Sequence, residues 1–328
     1  MADFTMFNAN DTKGINQGLK ILGYGEDGSG KSVFGLSFPD SAIIDAESKL
    51  GVYLKNPKYN KNIKAFACLT NYYDALDLLT KVISNTKSFK TFITDSETNV
   101  FEGMQVACME VEEERAKKKI GANIDDQVVS MRGYGKIKLN NSRLKNAKAA
   151  ASSKGVTIIS IAQKDDIFQK IGENNVKVGE KPVLRKGCKH DYDVVLRFYK
   201  EKDIATGEFR YFSEVEKDTT ETYPVGTKLE KASYENFKDY IESNRSGDTV
   251  DSDYSGAIDG NMATMAKEGQ DFDTVSKEFV SLFQTLGKKD VKNKEIIAKL
   301  LKDNNIESYK NAETFDELKK VVTILKTM

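Results

Sequence analysis

The chain has 328 residues, with 50 basic and 50 acidic side chains and 39% apolar residues, and a mean hydropathy of −0.51. No stretch approaches the roughly 20 apolar residues that a membrane span requires. The opening MADFTMFNANDTKG lacks the basic start and apolar centre of a secretory signal. The expectation is therefore a cytoplasmic protein with no membrane partner. The three cysteines, Cys68, Cys108 and Cys188, are far apart, and His190 is the single histidine. That composition argues against a disulfide framework, a zinc site and Ser–His–Asp chemistry. Zero formal net charge removes global attraction to nucleic acid and leaves only local basic patches to provide it.

Residues 1–18 are polar and read as a loose arm. Leu19 to Tyr24 is a short apolar run ending in glycines, which reads as a buried strand, and Val33 to Phe38 reads as the helix after it. Ala42–Asp45, Ile63–Cys68 and Thr91–Asp95 are three further strands. Tyr72, Leu76, Leu79 and Ile83 share one side of a helix. A charged helix is expected over 99–120, and a second helix, Ala-rich toward its end, over 139–153. Val156–Ala162 is the most β-branched run and reads as a fifth strand. Val194–Tyr199 and Phe209–Val215 read as a final pair around Thr206-Gly207-Glu208. Strands alternating with helices through residue 162 predict an α/β core with a mainly parallel sheet covered on both faces.

The composition changes after the core, which is placed at 19–243. Residues 244–270 are rich in Ser, Gly and Asp without sustained periodicity and read as a disordered acidic linker. Over 271–328 apolar residues return at helical spacing, at Phe279, Leu282 and Phe283, at Ile296, Ile297, Leu300 and Leu301, and at Phe315, Leu318, Val321, Val322 and Leu325. A small module of three short helices is expected there. No internal repeats occur.

Gly25-Glu26-Asp27-Gly28-Ser29-Gly30-Lys31-Ser32 fits G-x-x-x-x-G-K-[ST] between a strand and a helix. Glycines let the backbone curl so that successive N–H groups face phosphate oxygens, and the following helix adds its N-terminal dipole. Lys31 supplies a mobile cation for the β- and γ-phosphates, and the Ser32 hydroxyl reaches Mg²⁺. ATP is the expected ligand, contacted by Gly25, Asp27, Gly28, Ser29, Gly30, Lys31, Ser32 and Val33. A carboxylate ending a neighbouring buried strand must hold the Mg²⁺ shell, and Asp95 fits; the alternative is a strand-end Asp capping the next helix. A base must orient the attacking water. Glu47, two residues after the strand ending at Asp45, competes with Glu97, two residues after Asp95. Position 96 is Ser, whereas AAA+ and helicase-type motors carry a carboxylate directly after this Asp.

Ile44-Asp45-Ala46-Glu47 resembles the segment with the catalytic glutamate of the RecA recombinases, and Asp95-Ser96 resembles their Walker B position. Ile161-Ala162-Gln163 is similar to the strand end with their nucleotide-sensing glutamine. Arg132-Gly133-Tyr134-Gly135-Lys136 lies where their first DNA-binding loop leads into a helix. The nearest resemblance is to phage-encoded RecA-like ATPases of single-strand annealing and recombination, over roughly residues 19–225; the host cell cytoplasm is then the implied location. The resemblance implies a RecA-like P-loop core, Glu47 as base, Gln163 as γ-phosphate sensor, and contact of residues 164–185 with DNA. It also implies a homo-oligomer in which a basic pair reaches a neighbour's phosphates. Lys217 fits the first position of that pair; Thr219 stands where the second is expected.

Residues 131–154 contain seven Lys or Arg and no Asp or Glu. Arg132, Lys136, Arg143, Lys145 and Lys148 could neutralise phosphates of single-stranded DNA, and Tyr134 could stack a base. A solvated helix face with a Gly-Tyr-Gly hinge is the alternative. Gln169–Arg185 reads as a mobile loop, with Lys186 and Lys189 extending the basic patch. Lys288, Lys289, Lys292, Lys294, Lys299 and Lys302 cluster in the C-terminal module, which is open to DNA, a single-strand-binding protein or another replication or recombination partner. Three other functions compete: a helicase-like or AAA+ motor or helicase loader; a GTPase using Gln163-Lys164-Asp165-Asp166 to select guanine; and an ATP-binding scaffold without turnover.

Overall fold

The short apolar runs pair side by side as parallel strands because both of their faces can be covered by helices. The computed structural model describes residues 16–118, 123–245, 247, 254–311 and 314–327. The strands are β1 Lys20–Gly25, β2 Ser41–Asp45, β3 Ile63–Ala67, β4 Thr91–Asp95, β5 Thr157–Ile171, β6 Asn174–Pro182, β7 Val194–Lys202, β8 Phe209–Asp218 and β9 Lys228–Glu230. They form one sheet in the order β3-β2-β4-β5-β1-β7-β8-β9, with β6 paired to β5 alone. The six strands from β3 to β7 along that order are parallel, and β8 and β9 add antiparallel.

The helices of the core are α1 Lys31–Leu36, α2 Pro57–Asn60, α3 Tyr72–Ser84, α4 Glu97–Lys117, α5 Met131–Ser152 and α6 Lys238–Arg245. On one face of the sheet, Ile21, Ile43, Ile93 and Phe198 pack with Phe34 of α1 and Ile241 of α6. On the other, Ala42, Ile44, Phe92 and Ile158 pack with Leu79 of α3, Met104 of α4 and Ile137 and Leu144 of α5. This is the RecA-like P-loop layering expected from the sequence, with β5 lying between the strand that leads into the glycine loop and the strand that ends at Asp95.

Four expectations change. Gly18, expected in a loose arm, is packed: its N–H donates to Ser152 O at 2.7 Å, and a Cβ there would lie 2.0 Å from Val156 O. Residues 1–15 of that arm lie outside the described residues. The stretch Gln169–Arg185 is no mobile loop over most of its length, because β5 runs on past Ala162 to Ile171 and pairs with β6 as a two-stranded ribbon. Its root is tied by Glu180, which accepts from Lys164 at 2.5 Å, Lys177 at 2.7 Å and Arg197 at 3.3 Å. Although burial opposes ionisation, these cations hold the Glu180 carboxyl at about 2.

The third change concerns Gly133-Tyr134-Gly135, which lies inside α5 rather than in a hinge. Ser130 caps α5, accepting from Gly133 N at 3.1 Å. Gly133 makes room for Val129 ahead of the helix, since a Cβ there would lie 2.8 Å from Val129 Cγ1, whereas Cys108 of α4, at 3.7 Å, would be in ordinary contact. Tertiary packing overrides the low helix propensity of the two glycines.

The chain divides into two units, Met1–Tyr254 and Ser255–Met328. The C-terminal region is helical, with α7 Tyr254–Lys289, α8 Val291–Asp303 and α9 Phe315–Leu325. Thus residues 254–270, expected in a disordered linker, open a long helix instead; Ala, Met, Lys, Glu and Gln there are good helix formers. Residues 246 and 248–253 of that expected linker lie outside the described residues. Phe279, Ile297, Leu318, Val321, Val322 and Leu325 build a core of their own in this unit.

Gly135 tests the helical assignment of the Gly-Tyr-Gly segment. A Cβ at Gly135 meets nothing within 4 Å. Gly135→Ala is expected to raise stability by about 0.5–1 kcal/mol in chemical denaturation, whereas Gly133→Ala, which must displace Val129, shows no such gain.

Candidate nucleotide site

The parallel register brings the carboxyl ends of β1, β2 and β4 to one edge, level with Gln163 of β5 and Phe198 of β7. Gly25 lies opposite Gln163 and Phe198, and Asp45 lies opposite Asp95. Open α/β sheets bind ligands at this edge. A cavity of about 540 Å³ opens there, lined by Lys31, Ser32, Glu47, Asp95 and Gln163 among others. The glycine-rich segment is its floor. Gly25, Gly28 and Gly30 have φ of 150°, 65° and 96°. A Cβ at Gly25 would sit 1.9 Å from Phe198 O, so the position requires glycine. Ser29 Oγ donates to Glu26 O at 2.6 Å, and Lys31 Nζ donates to Gly25 O at 2.9 Å and Glu26 O at 2.6 Å. Burial lowers the Lys31 ammonium below its usual range, against the pull of Asp27 and Asp95. Asp27 and Val33 also line the cavity.

Asp95 is buried at the end of β4. Ser32 hydrogen-bonds to its carboxylate, yet burial prevails and pushes its pKa up to about 6. Its Oδ2 has no hydrogen-bond partner. An uncompensated carboxylate oxygen beside a hydroxyl, facing a lysine-lined cavity, fits the oxygen donor set of Mg²⁺.

Glu47 and Glu97 have opposite surroundings. Glu47 Oε1 accepts from Gln163 Nε2 at 3.0 Å and Oε2 from Lys49 Nζ at 2.8 Å, at the cavity wall. The turn that presents Glu47 is built by the buried Asp45, whose carboxylate accepts from the N–H of Glu47 at 3.3 Å, Lys49 at 3.1 Å and Leu50 at 2.8 Å. Asn99 Nδ2 donates to Ala46 O at 3.1 Å and closes the turn from the other side. Burial tends to raise the Glu47 pKa, but the bonds from Lys49, Gln163 and Ser96 outweigh it and hold it low.

Glu97 points away from the cavity, into the layer under α5. Lys148 Nζ pairs with it there, and Tyr192 Oη donates to it at 3.1 Å. Lys148 also donates to Ser160 Oγ at 2.9 Å. Lys148 is therefore withdrawn from the basic surface in which the sequence placed it, and Glu97 is committed to an internal ion pair.

Lys217 was expected to reach a neighbouring subunit. Within its own chain its ammonium donates to Tyr192 O at 2.5 Å and Lys189 O at 3.3 Å. Lys164 and Asp166, the residues of the guanine-selecting alternative, are absorbed in the ribbon root, Asp166 pairing with Lys177 at 2.9 Å. Arg132, Lys136 and Tyr134 are exposed on α5, and Arg143 is half-buried. At about 100° per residue, Arg132, Lys136 and Arg143 form one stripe, while Tyr134 sits roughly half a turn away. The four residues are thus two surfaces flanking the buried Ile137 and Leu144.

Sequence reasoning missed Asp45 as the organiser of the Glu47 turn, three cations that line the cavity, Lys49, Lys58 and Lys231, and Lys200 beside its glycine-rich floor. Lys200 Nζ donates to Asp27 O at 3.1 Å. The proximity of Lys49 to Glu47 was available as a local signal; the Lys200 contact spans the fold and was not.

The sequence model of the AAA domain matches residues 17–223, more than half of the chain. The chain belongs to the AAA domain family. Ser96 in place of a carboxylate therefore does not set the chain apart from AAA-type ATPases. No curated protein matches the chain. Among solved structures, the flagellar accessory protein FlaH from Methanocaldococcus jannaschii is similar at 11% identity and a TM-score of 0.36. A KaiC-like protein from Pyrococcus horikoshii is similar at 17% identity and a TM-score of 0.39. Each match covers 66% of this chain and 86% of the other. Among the described residues no helix is long and apolar enough to cross a membrane.

The Asp95 carboxyl gives the site a measurable signature. The folded chain binds its proton up to about 6, against 3.8 for an ordinary Asp. Folding therefore takes up a proton between those values, and stability falls as pH rises through that window. In metal-free buffer, urea titrations should show this loss, on the order of 3 kcal/mol, and Asp95→Asn should abolish that slope.

Proposed function

We propose that this AAA-type ATPase core binds ATP with Mg²⁺ and hydrolyses it, using Glu47 as the base, in response to single-stranded DNA. The observation that carries the reading is the convergence of Lys31, Ser32, Glu47, Asp95 and Gln163 on one cavity, with Asp95 Oδ2 lacking any partner. Mg²⁺ would be held by Ser32 and Asp95 and would supply positive charge to the β- and γ-phosphate oxygens. Lys31 leaves the loop carbonyls to pair with the same phosphates. Glu47 takes a proton from water as the water oxygen bonds to the γ-phosphorus. The bond to the bridging oxygen breaks, and its electron pair leaves on ADP. Gln163, bonded to Glu47, reports whether the γ-phosphate is present.

The DNA part of the reading rests on α5, whose Arg132, Lys136 and Arg143 form one basic stripe beside a stretch free of acids. Tyr134 offers a stacking face on the neighbouring surface. Recombination, annealing or repair of single strands by several assembled copies is the setting that fits. The exposed apolar side chains of the ribbon, Ile167, Phe168 and Ile171, support assembly. The RecA-type resemblance at Ile44–Glu47 and Ile161–Gln163 favours this setting over a helicase-like motor.

ATPase assays with and without single-stranded DNA test the chemistry. Glu47→Gln is expected to retain ATP binding and lose about 10²–10⁴-fold in turnover, whereas Glu97→Gln acts on stability and leaves the base in place. Wild-type activity in Glu47→Gln would refute the assignment. Salt titration of strand binding tests the surface. The triple variant Arg132→Ala/Lys136→Ala/Arg143→Ala should flatten the log–log salt slope by about 2, since each contact with a single strand adds about 0.7; an unchanged slope would place DNA elsewhere.

A further inference from the structure

Lys49 stands out because its backbone is fixed and its side chain is free to move. Its N–H is held by Asp45 at 3.1 Å, while its side chain is 72% exposed and reaches Glu47 Oε2 at 2.8 Å. It lines the same cavity as Lys31. Its charge is felt at Lys31, and the charges of Asp27 and Asp95 are felt at Lys49. The ammonium therefore lies within electrostatic reach of the phosphate floor, on the side where the base waits.

We propose that Lys49 is a catalytic cation of this site, paired with Glu47 before nucleotide enters and transferred to the γ-phosphate when ATP is bound. The inference rests on the ATP-hydrolysing function proposed above. A triphosphate carries several negative charges against the single charge of Glu47, so it outcompetes the carboxylate for a mobile ammonium. The transfer has two consequences. It places a positive charge beside the oxygens of the phosphoryl group in transit, from within the same chain. It also releases Glu47 Oε2. In the pair with Lys49, that oxygen is occupied by a donor and its basicity is suppressed; once freed it can accept the proton of the attacking water. The atoms balance as in simple hydrolysis: water adds to the γ-phosphorus, its proton goes to Glu47, and the bridging oxygen leaves on ADP with its electron pair. Lys49 donates hydrogen bonds and loses no proton.

The test compares wild type, Lys49→Ala, Lys49→Arg, Glu47→Gln and the Lys49→Ala/Glu47→Gln double variant, measuring affinities for Mg·ATP and Mg·ADP and steady-state turnover. Lys49→Ala is expected to keep its ADP affinity, which also shows that the site is folded. Its preference for ATP over ADP should drop about tenfold, the effect of one charge-assisted hydrogen bond to the γ-phosphate. Its kcat should fall about 10²–10³-fold, and Lys49→Arg should recover part of both. Glu47→Gln, which removes the competing carboxylate, should bind ATP more tightly than wild type, and the double variant should lose that gain. Three results would overturn the proposal: an unchanged ATP-over-ADP preference in Lys49→Ala, an equal loss of ADP affinity, or turnover that stays level or rises. A wild-type chain that hydrolyses no ATP would refute the parent reading, and the two affinities would still decide whether Lys49 meets the γ-phosphate.

Discussion

The register of four parallel strands is the constraint on which the site depends. Gly25 opposite Gln163, and Asp45 opposite Asp95, set a glycine turn, an amide and two carboxylates along one edge. A slip of one residue in β4 would turn Asp95 to the other face and carry Phe92 out of its apolar layer. The two apolar layers forbid such a slip, because Ile21, Ile43 and Ile93 face α1 while Ala42, Ile44 and Phe92 face α3 to α5. Packing that looks purely structural therefore specifies where each carboxylate stands.

Two acids separated by one residue show how the environment divides roles. Glu97 enters the layer beneath α5 and finds Lys148, Ser160 and Tyr192, so its charge is matched and hydrogen-bonded. Asp95 ends its strand facing the cavity and finds one hydroxyl, so its charge is left poorly compensated. A matched internal pair has no affinity to spare for a ligand, whereas an unmatched carboxylate gains by meeting a cation. Asp45 is a third case. It spends its carboxylate on three backbone N–H groups and so fixes the turn rather than the ligand.

The parts legible in the sequence are those whose cause is local. The glycine loop, the apolar strands and Asp95 are dictated by neighbours a few residues away, and the structure places them together. Glu47 and Glu97 could not be separated in that way. Each follows a strand end by two residues, and the difference lies in Lys148, far along the chain. The β5–β6 ribbon was missed because its Gly and Lys content resembles a loop, while its pairing depends on cross-strand partners and on Glu180 meeting Arg197 from another strand. The alternative of a Gly-Tyr-Gly hinge gives way for the same reason: glycine weakens an isolated helix, but Ser130 caps α5 at Gly133 and Val129 packs where a side chain at 133 would stand. Lys217 shows a third limit of sequence position. Position in a motif says nothing about which carbonyls lie within reach of a long side chain.

Helix α5 joins the proposed DNA stripe to the nucleotide edge. Arg132 and Lys136 are exposed on it, Arg143 is half-buried, and Lys148, five residues beyond Arg143, is buried against Glu97. Glu97 opens α4 two residues after Asp95. A ligand that shifts α5 must either carry Lys148 along or leave Glu97 without its counter-ion, and a broken buried pair costs about 3–5 kcal/mol. Close-packed layers move as units rather than deform continuously, so the less costly response is for α5, Glu97 and the end of β4 to move together. In the proposed function this gives DNA-stimulated hydrolysis a mechanical basis, with the strand on one side of α5 and, on the other, the Lys148–Glu97 pair two residues from Asp95, the proposed metal ligand.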